Sequence, residues 1–128
     1  MPAATDLSQA RIGQISINVY DLERAVAFYK EKLNLKHLFT VPKMGFFDCG
    51  GVRLMLAVPE SSEFDYPSSV LYFNVDDILA VFTSLSERGV RFEGPPHLIA
   101  KMDTYDLWMA FFRDSENNLL SLMSNVAR

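Results

Sequence analysis

Hydrophobic and polar residues alternate along Ile12-Gly-Gln-Ile-Ser-Ile-Asn-Val19. Ile15, Ile17 and Val19 fall on one side, Gln14, Ser16 and Asn18 on the other. Period two over this length predicts a strand with two unlike faces. Asp21 then stands where a helix N-cap belongs. Leu22, Ala25, Val26, Tyr29 and Leu33 follow as one apolar stripe at helical spacing. Asn34 marks the stop, since Asn tolerates the left-handed conformation used there. Further strands are predicted over 35–41, 45–49 and 52–58. The last two are joined at Gly50-Gly51, a pair that supplies the positive φ angles of a tight hairpin. Residues 59–67 are polar, flanked by prolines, and read as a linker.

After the linker the pattern starts again. Residues 70–75 alternate, Asp76-Asp77 offers an N-cap, and Ile78, Val81, Phe82 and Leu85 mark a helix face that Gly89 stops. A strand begins over 90–92, and 108–113 with 119–123 predict a last hairpin. Asn18-Val-Tyr-Asp-Leu22 matches Asn74-Val-Asp-Asp-Ile78. Phe46-Phe47 matches Phe111-Phe112, and Leu54-Met-Leu56 matches Leu120-Ser-Leu122. Each half reads β-α-β-β-β, so the chain is an internal repeat. The expected organisation is an N-terminal tail over 1–11 and a single domain over 12–128. That domain holds modules at 12–58 and 68–124 joined by the linker 59–67. The fold class is α+β: two tandem βαβββ modules pair their sheets into a cup, with helices outside. A concavity of this kind suits a small ligand.

Composition narrows the choice little. One Cys cannot make an internal disulfide, and one Cys with two His excludes the common zinc arrays. Twelve basic against sixteen acidic residues give a net charge of −4. No Lys/Arg run is present, which argues against duplex nucleic acid. No apolar stretch approaches the ~18–20 residues of a membrane span, so no membrane partner is expected. Residues 1–10 lack the basic start and apolar core of a signal peptide. A cytoplasmic location is the default expectation.

The opening segment through Tyr29 with Leu33-Asn-Leu35, then Phe73-Asn-Val-Asp-Asp77, then Phe112-Arg-Asp-Ser-Glu-Asn-Asn-Leu-Leu120, resembles the vicinal oxygen chelate superfamily. That group includes glyoxalase I, bleomycin-resistance proteins, fosfomycin-resistance enzymes and extradiol dioxygenases. The last segment corresponds to the family's Asp-Pro-Asp-Gly-Asn turn, with Ser115 for Pro and Asn117 for Gly. The resemblance implies one divalent metal in the cup, held by a residue from each of four strands. Those positions fall here on Gln14, Met55, Val70 and Ser121. None is His, Asp or Glu. Hard cations want carboxylate oxygens and transition metals want imidazole or thiolate. The expectation is therefore no metal, no other cofactor and no assigned catalytic residue.

The other candidates have plain readings beside sharp ones. His37 and His97 could pair with Asp48 or Asp103 around a metal, or could be ordinary surface histidines. Cys49 could be a reactive thiol or a structural one. Asp21, Asp76 and Asp77 read as helix caps. The predicted ligand-binding residues are Gln14, Asn18, Arg53, Met55, Val70, Tyr72, Trp108, Ser121 and Met123. They mix aromatic rings, adaptable thioethers and a few amides, which suits a planar or amphipathic small molecule. Arg53 would meet an acidic ligand group, or pair with Asp48 or Glu60. The functional expectation is a metal-independent, bleomycin-resistance-like binding protein, working as a homodimer. The negative net charge would suit a cationic ligand. The alternative is a divalent-metal-dependent or metal-free lyase, isomerase or dioxygenase of the same superfamily.

Overall fold

A computed structural model describes residues 5–128. Strand β1 (Gln14–Asn18) leads into helix α1 (Leu22–Ala27), which continues as a π-helical turn over Phe28–Lys32. Strands β2 (Lys36–Val41), β3 (Met44–Cys49) and β4 (Val52–Ala57) follow. After the linker come β5 (Leu71–Asn74), helix α2 (Ile78–Glu87), β6 (Arg91–Phe92), β7 (His97–Lys101), β8 (Tyr105–Arg113) and β9 (Leu119–Ala127). The first sheet runs β1-β4-β3-β2 and the second β5-β9-β8-β6, with β7 also on β8. In each sheet the first strand pairs parallel with the last and the others pair antiparallel. The architecture is α+β, and the repeat read from the sequence is visible in its register. Phe46 faces Met55 and Phe47 faces Leu54, just as Phe111 faces Ser121 and Phe112 faces Leu120.

Local chemistry explains most boundaries. The Asp21 carboxylate accepts from the Arg24 amide at 3.1 Å, and Asp77 accepts from the Ala80 amide at 3.1 Å. Both are the predicted N-caps. Gly50 and Gly51 have φ of +57° and +90°, the two positive angles of a hairpin turn that an L side chain resists. Asn117, the family's Gly position, takes φ +67°. Gly45 lets α1 approach β3, because a Cβ there would stand 2.8 Å from Val26.

The structure corrects three boundaries. The strand begun over 90–92 is broken after Phe92, and its continuation, β7, was not predicted. Pro95 and Pro96 interrupt the ladder because they donate no backbone N–H. The final hairpin is longer than expected, beginning at Tyr105 and ending at Ala127. The Leu22–Leu33 stripe is not one α-helix. Leu33 donates to Phe28 at 3.2 Å, a wider π spacing, before Asn34 turns with φ +57°.

Both helices cover the same kind of sheet face. Ile17, Leu54, Leu56 and Phe47 of the first sheet and Leu120, Leu122, Ala110 and Phe112 of the second join Ala25, Phe28, Tyr29, Ile78 and Leu85 in one buried cluster. The two halves are thus cemented on their helix sides, and each sheet's other face is left open. A polar clamp spans this seam. Glu116, on the turn between β8 and β9, accepts from the Tyr20 and Asp21 amides at 2.9 and 2.8 Å and pairs with Arg24 at 2.7 Å. The neighbouring Asp114 is buried and accepts from the Tyr29 hydroxyl at 2.7 Å. Burial pushes the Glu116 carboxyl pKa up. Arg24, the two amides and the Ser115 hydroxyl outweigh that and hold it at about 2, against 4.5.

Because this pKa is depressed on folding, the clamp's ionic contribution is fully present above pH 4.5 and lost as pH falls toward 2. Its size is on the order of 3 kcal/mol. Glu116→Gln is therefore expected to lower urea stability at pH 7 and to flatten the acid limb. At pH near 2 the two proteins should converge. A constant gap from pH 7 to pH 2 would contradict the assignment.

Candidate functional site

The open face of the first sheet carries Gln14, Ser16 and Asn18 from β1 and Arg53, Met55 and Ala57 from β4. Met44, Phe46 and Asp48 of β3 stand beside them. Strand β2 adds Lys36, Phe39 and Val41, and a bulge at Leu38 shifts its phase. Phe39 stacks on Phe46 with ring centroids 4.6 Å apart, and Phe39 keeps 44% of its surface exposed. The Arg53 guanidinium lies over the other aromatic of this pair, 5.4 Å from the Phe46 ring. Arg53 pairs with neither Asp48 nor Glu60, its two expected carboxylate partners.

The linker roofs one end of this face. The Asn18 side chain donates to the Phe64 and Tyr66 carbonyls, both at 2.9 Å, and its backbone amide donates to Ser68. Tyr20 and Asp65 add a 2.7 Å bond between side chains. Beneath lies a groove of about 370 Å³ that includes Ser16, Asn18, Met44, Met55, Phe64 and Tyr66 in its wall.

The open face of the second sheet carries Tyr72 and Asn74, Leu119, Ser121 and Met123, and Met109, Phe111 and Arg113. Tyr72 and Phe111 meet edge to face at 6.0 Å, and Tyr72 is 47% exposed. Val70, just before β5, is half-buried.

Three sequence-predicted site residues have other tasks. Trp108 lies on the opposite, helix-side face, in phase with Ala110 and Phe112 and packed on the core. Period two counted back from Phe112 gives that phase, so treating Trp108 as cup lining was an error of register. Ser121 is on the open face but is 0% exposed, covered by its cross-strand partners Tyr72 and Phe111. Its hydroxyl donates to the Leu122 carbonyl at 2.8 Å, with the Ala110 carbonyl 3.3 Å away. Asn18 is committed to the linker. Gln14, Arg53, Met55, Tyr72 and Met123 remain on the open faces. Phe39, Phe46 and Phe111 were missed. The phase of β2 was hidden by its bulge, although the Phe46–Phe111 repeat match pointed to the other half.

The donor set does not suit a metal. The Gln14 amide nitrogen donates to the Met55 sulfur at 3.7 Å, Val70 has no donor atom and Ser121 offers only a neutral, fully buried hydroxyl, so none of the four positions supplies a carboxylate, imidazole or thiolate. Among the described residues no group of three or more His, Cys, Asp or Glu side chains is placed to hold an ion. His37 bonds Thr40 on the helix side of the first sheet, and His97 faces the Pro95 carbonyl in the second, so they form no site together. Burial, then Asp48, pushes the Cys49 thiol pKa up, which does not favour a thiolate nucleophile.

The sequence pattern of the Glyoxalase/Bleomycin resistance protein/Dioxygenase superfamily matches residues 11–122, and the chain belongs to that family. Uncharacterized protein YraH of Bacillus subtilis is 29% identical over 123 residues, covering 85% of this chain and 94% of that protein. The fold is shared with a lactoylglutathione lyase from Agrobacterium tumefaciens, at 22% identity and TM-score 0.74. That match covers 90% of this chain and 93% of the other. A superfamily member from Sphaerobacter thermophilus matches at 24% identity and TM-score 0.73, covering 90% and 97%. No helix among the described residues is long and apolar enough to cross a membrane.

Asn18→Ala removes two carbonyl partners from the linker, a net cost of about 1 kcal/mol each. Proteolysis around residues 60–66 is expected to quicken, with the rest of the domain still resistant. Unchanged cleavage there would mean that the linker is held by other contacts.

Proposed function

We propose that this protein binds a planar or amphipathic small molecule on the open sheet faces, without a metal ion. The observation that carries the reading is the lining itself. Exposed Phe39 and Tyr72 and the thioethers of Met55 and Met123 lie on the open faces, and Met55 occupies one of the four positions that correspond to the superfamily's metal ligands. Aromatic faces supply stacking area, and thioethers adapt to irregular shapes. Arg53, free of carboxylate partners, offers its guanidinium to an acidic ligand group. Sequestration of the bleomycin-resistance kind fits this chemistry, in which binding is the whole task and no bond is made or broken.

The working unit in this reading is a homodimer. Leu38, Phe39, Val41, Leu98, Ile99 and Met102 are exposed on the edge strands β2 and β7 and just beyond β7. A monomer rarely leaves so much apolar surface in water, and two-fold pairing is the commonest way to cover it. A second copy would also wall in the ligand. The lone Cys49, unpaired by disulfide, is compatible with a reducing cytoplasm.

The test is a melting-temperature screen of chelator-treated protein against planar aromatic and amphipathic compounds, followed by titration of the hits. Phe39→Ala and Tyr72→Ala are each expected to weaken a hit about tenfold, near 1.4 kcal/mol, with little effect on folding. If one equivalent of Ni, Zn, Mn or Fe binds and raises the melting temperature, the metal-independent reading fails in favour of an enzyme. Sedimentation should give a dimer; a monomer at all concentrations contradicts the assembly.

A further inference from the structure

The two halves are joined by two seams related by the repeat, and only one is filled. In the first, Tyr29 of the α1 segment meets Asp114 of the β8–β9 turn, both fully buried. The repeat places Leu85 of α2 where Tyr29 stands, and Cys49 at the end of β3 where Asp114 stands. Both replacements are smaller, and the second seam holds no phenol ring. A cavity of about 240 Å³ is found there, with Leu85 and Cys49 both in its wall. Leu33, Phe73, Phe112 and Leu122 make the rest largely apolar.

We infer that this seam is a second ligand site, separate from the open faces, and that it takes a single-ring aromatic molecule. The internal comparison argues for the occupant: the same fold, at the equivalent place, buries the ring of Tyr29. Water gains little there, because the wall offers few polar partners. Apolar cavities of even ~150 Å³ stay dry and accept benzene. The Cys49 thiol, half-buried at the edge, reports occupancy because a ring in the cavity shields it.

Toluene, phenol and indole are suitable probes. With a probe at ten times its Kd, modification of Cys49 by a thiol reagent should slow about tenfold, since only empty protein reacts. Methyl resonances of Leu33, Leu85 and Leu122 should move, and those of Met55 and Met123 should not. Leu85→Phe fills the space and is expected to abolish both effects. Should that variant fail to fold, Val81→Met at the same wall serves instead. The inference is overturned if no probe protects Cys49 in the natural protein. It is equally overturned if protection persists in the filled variant, or if only the Met55 and Met123 resonances move. The last result would leave the open-face reading standing.

Discussion

The structure depends on a carboxylate buried at the junction of its halves. Glu116 sits at the tip of the last hairpin, yet it holds the Tyr20 and Asp21 amides just before α1 and the Arg24 side chain, more than ninety residues earlier in the chain. Desolvating a carboxylate is expensive, and only this full set of donors makes it tolerable. The bond works in both directions. It holds the segment entering α1, next to the Asp21 cap, and ties the β8–β9 turn to it. Asp114 extends the same lock through Tyr29 into the core. With the helix sides joined in this way, the described residues leave the opposite faces uncovered except where the linker roofs one end of the first sheet.

This arrangement separates stability from function by face. The helix-side residues of each strand, such as Ile17, Leu56, Phe112 and Leu122, are buried in one cluster. The residues between them, such as Ser16, Met55, Phe111 and Met123, point the other way and are released from packing duty. A superfamily built so can change its open face without disturbing its core. Here none of the four positions that match the family's metal ligands carries His, Asp or Glu, and thioethers and aromatic rings stand on the open faces. Ser121 makes the point most clearly: its hydroxyl is fully buried beneath Tyr72 and Phe111 and donates to a backbone carbonyl.

Much of this was legible in the chain. Alternation exposed β1 and β5, hairpin patterns exposed β4 and β9, and Asp21, Asp77, Gly50-Gly51 and Gly89 punctuated the chain. The repeat supplied the topology, because matching halves must take matching registers. What escaped has physical causes. β7 follows two prolines and shows no clean alternation across its bulge near Ile99, so nothing marks it as a strand. The bulge in β2 turned Phe39 toward the open face while leaving His37 on the other. Trp108 was assigned by its chemistry instead of by its phase from Phe112. The clamp was half legible: the Asp114–Asn118 turn was recognised, but its partner across the seam is a contact between distant segments that no local pattern reveals.

The central claim is that the open faces bind a small molecule by stacking and thioether contacts, with no metal ion. A crystal structure of the chelator-treated protein with a bound hit tests it most directly. The account predicts ligand density against Phe39, Met55 and Tyr72, and no coordinated ion near Gln14, Met55, Val70 and Ser121. Density for a coordinated cation at those four residues, or a ligand bound elsewhere with the open faces closed off, would contradict it.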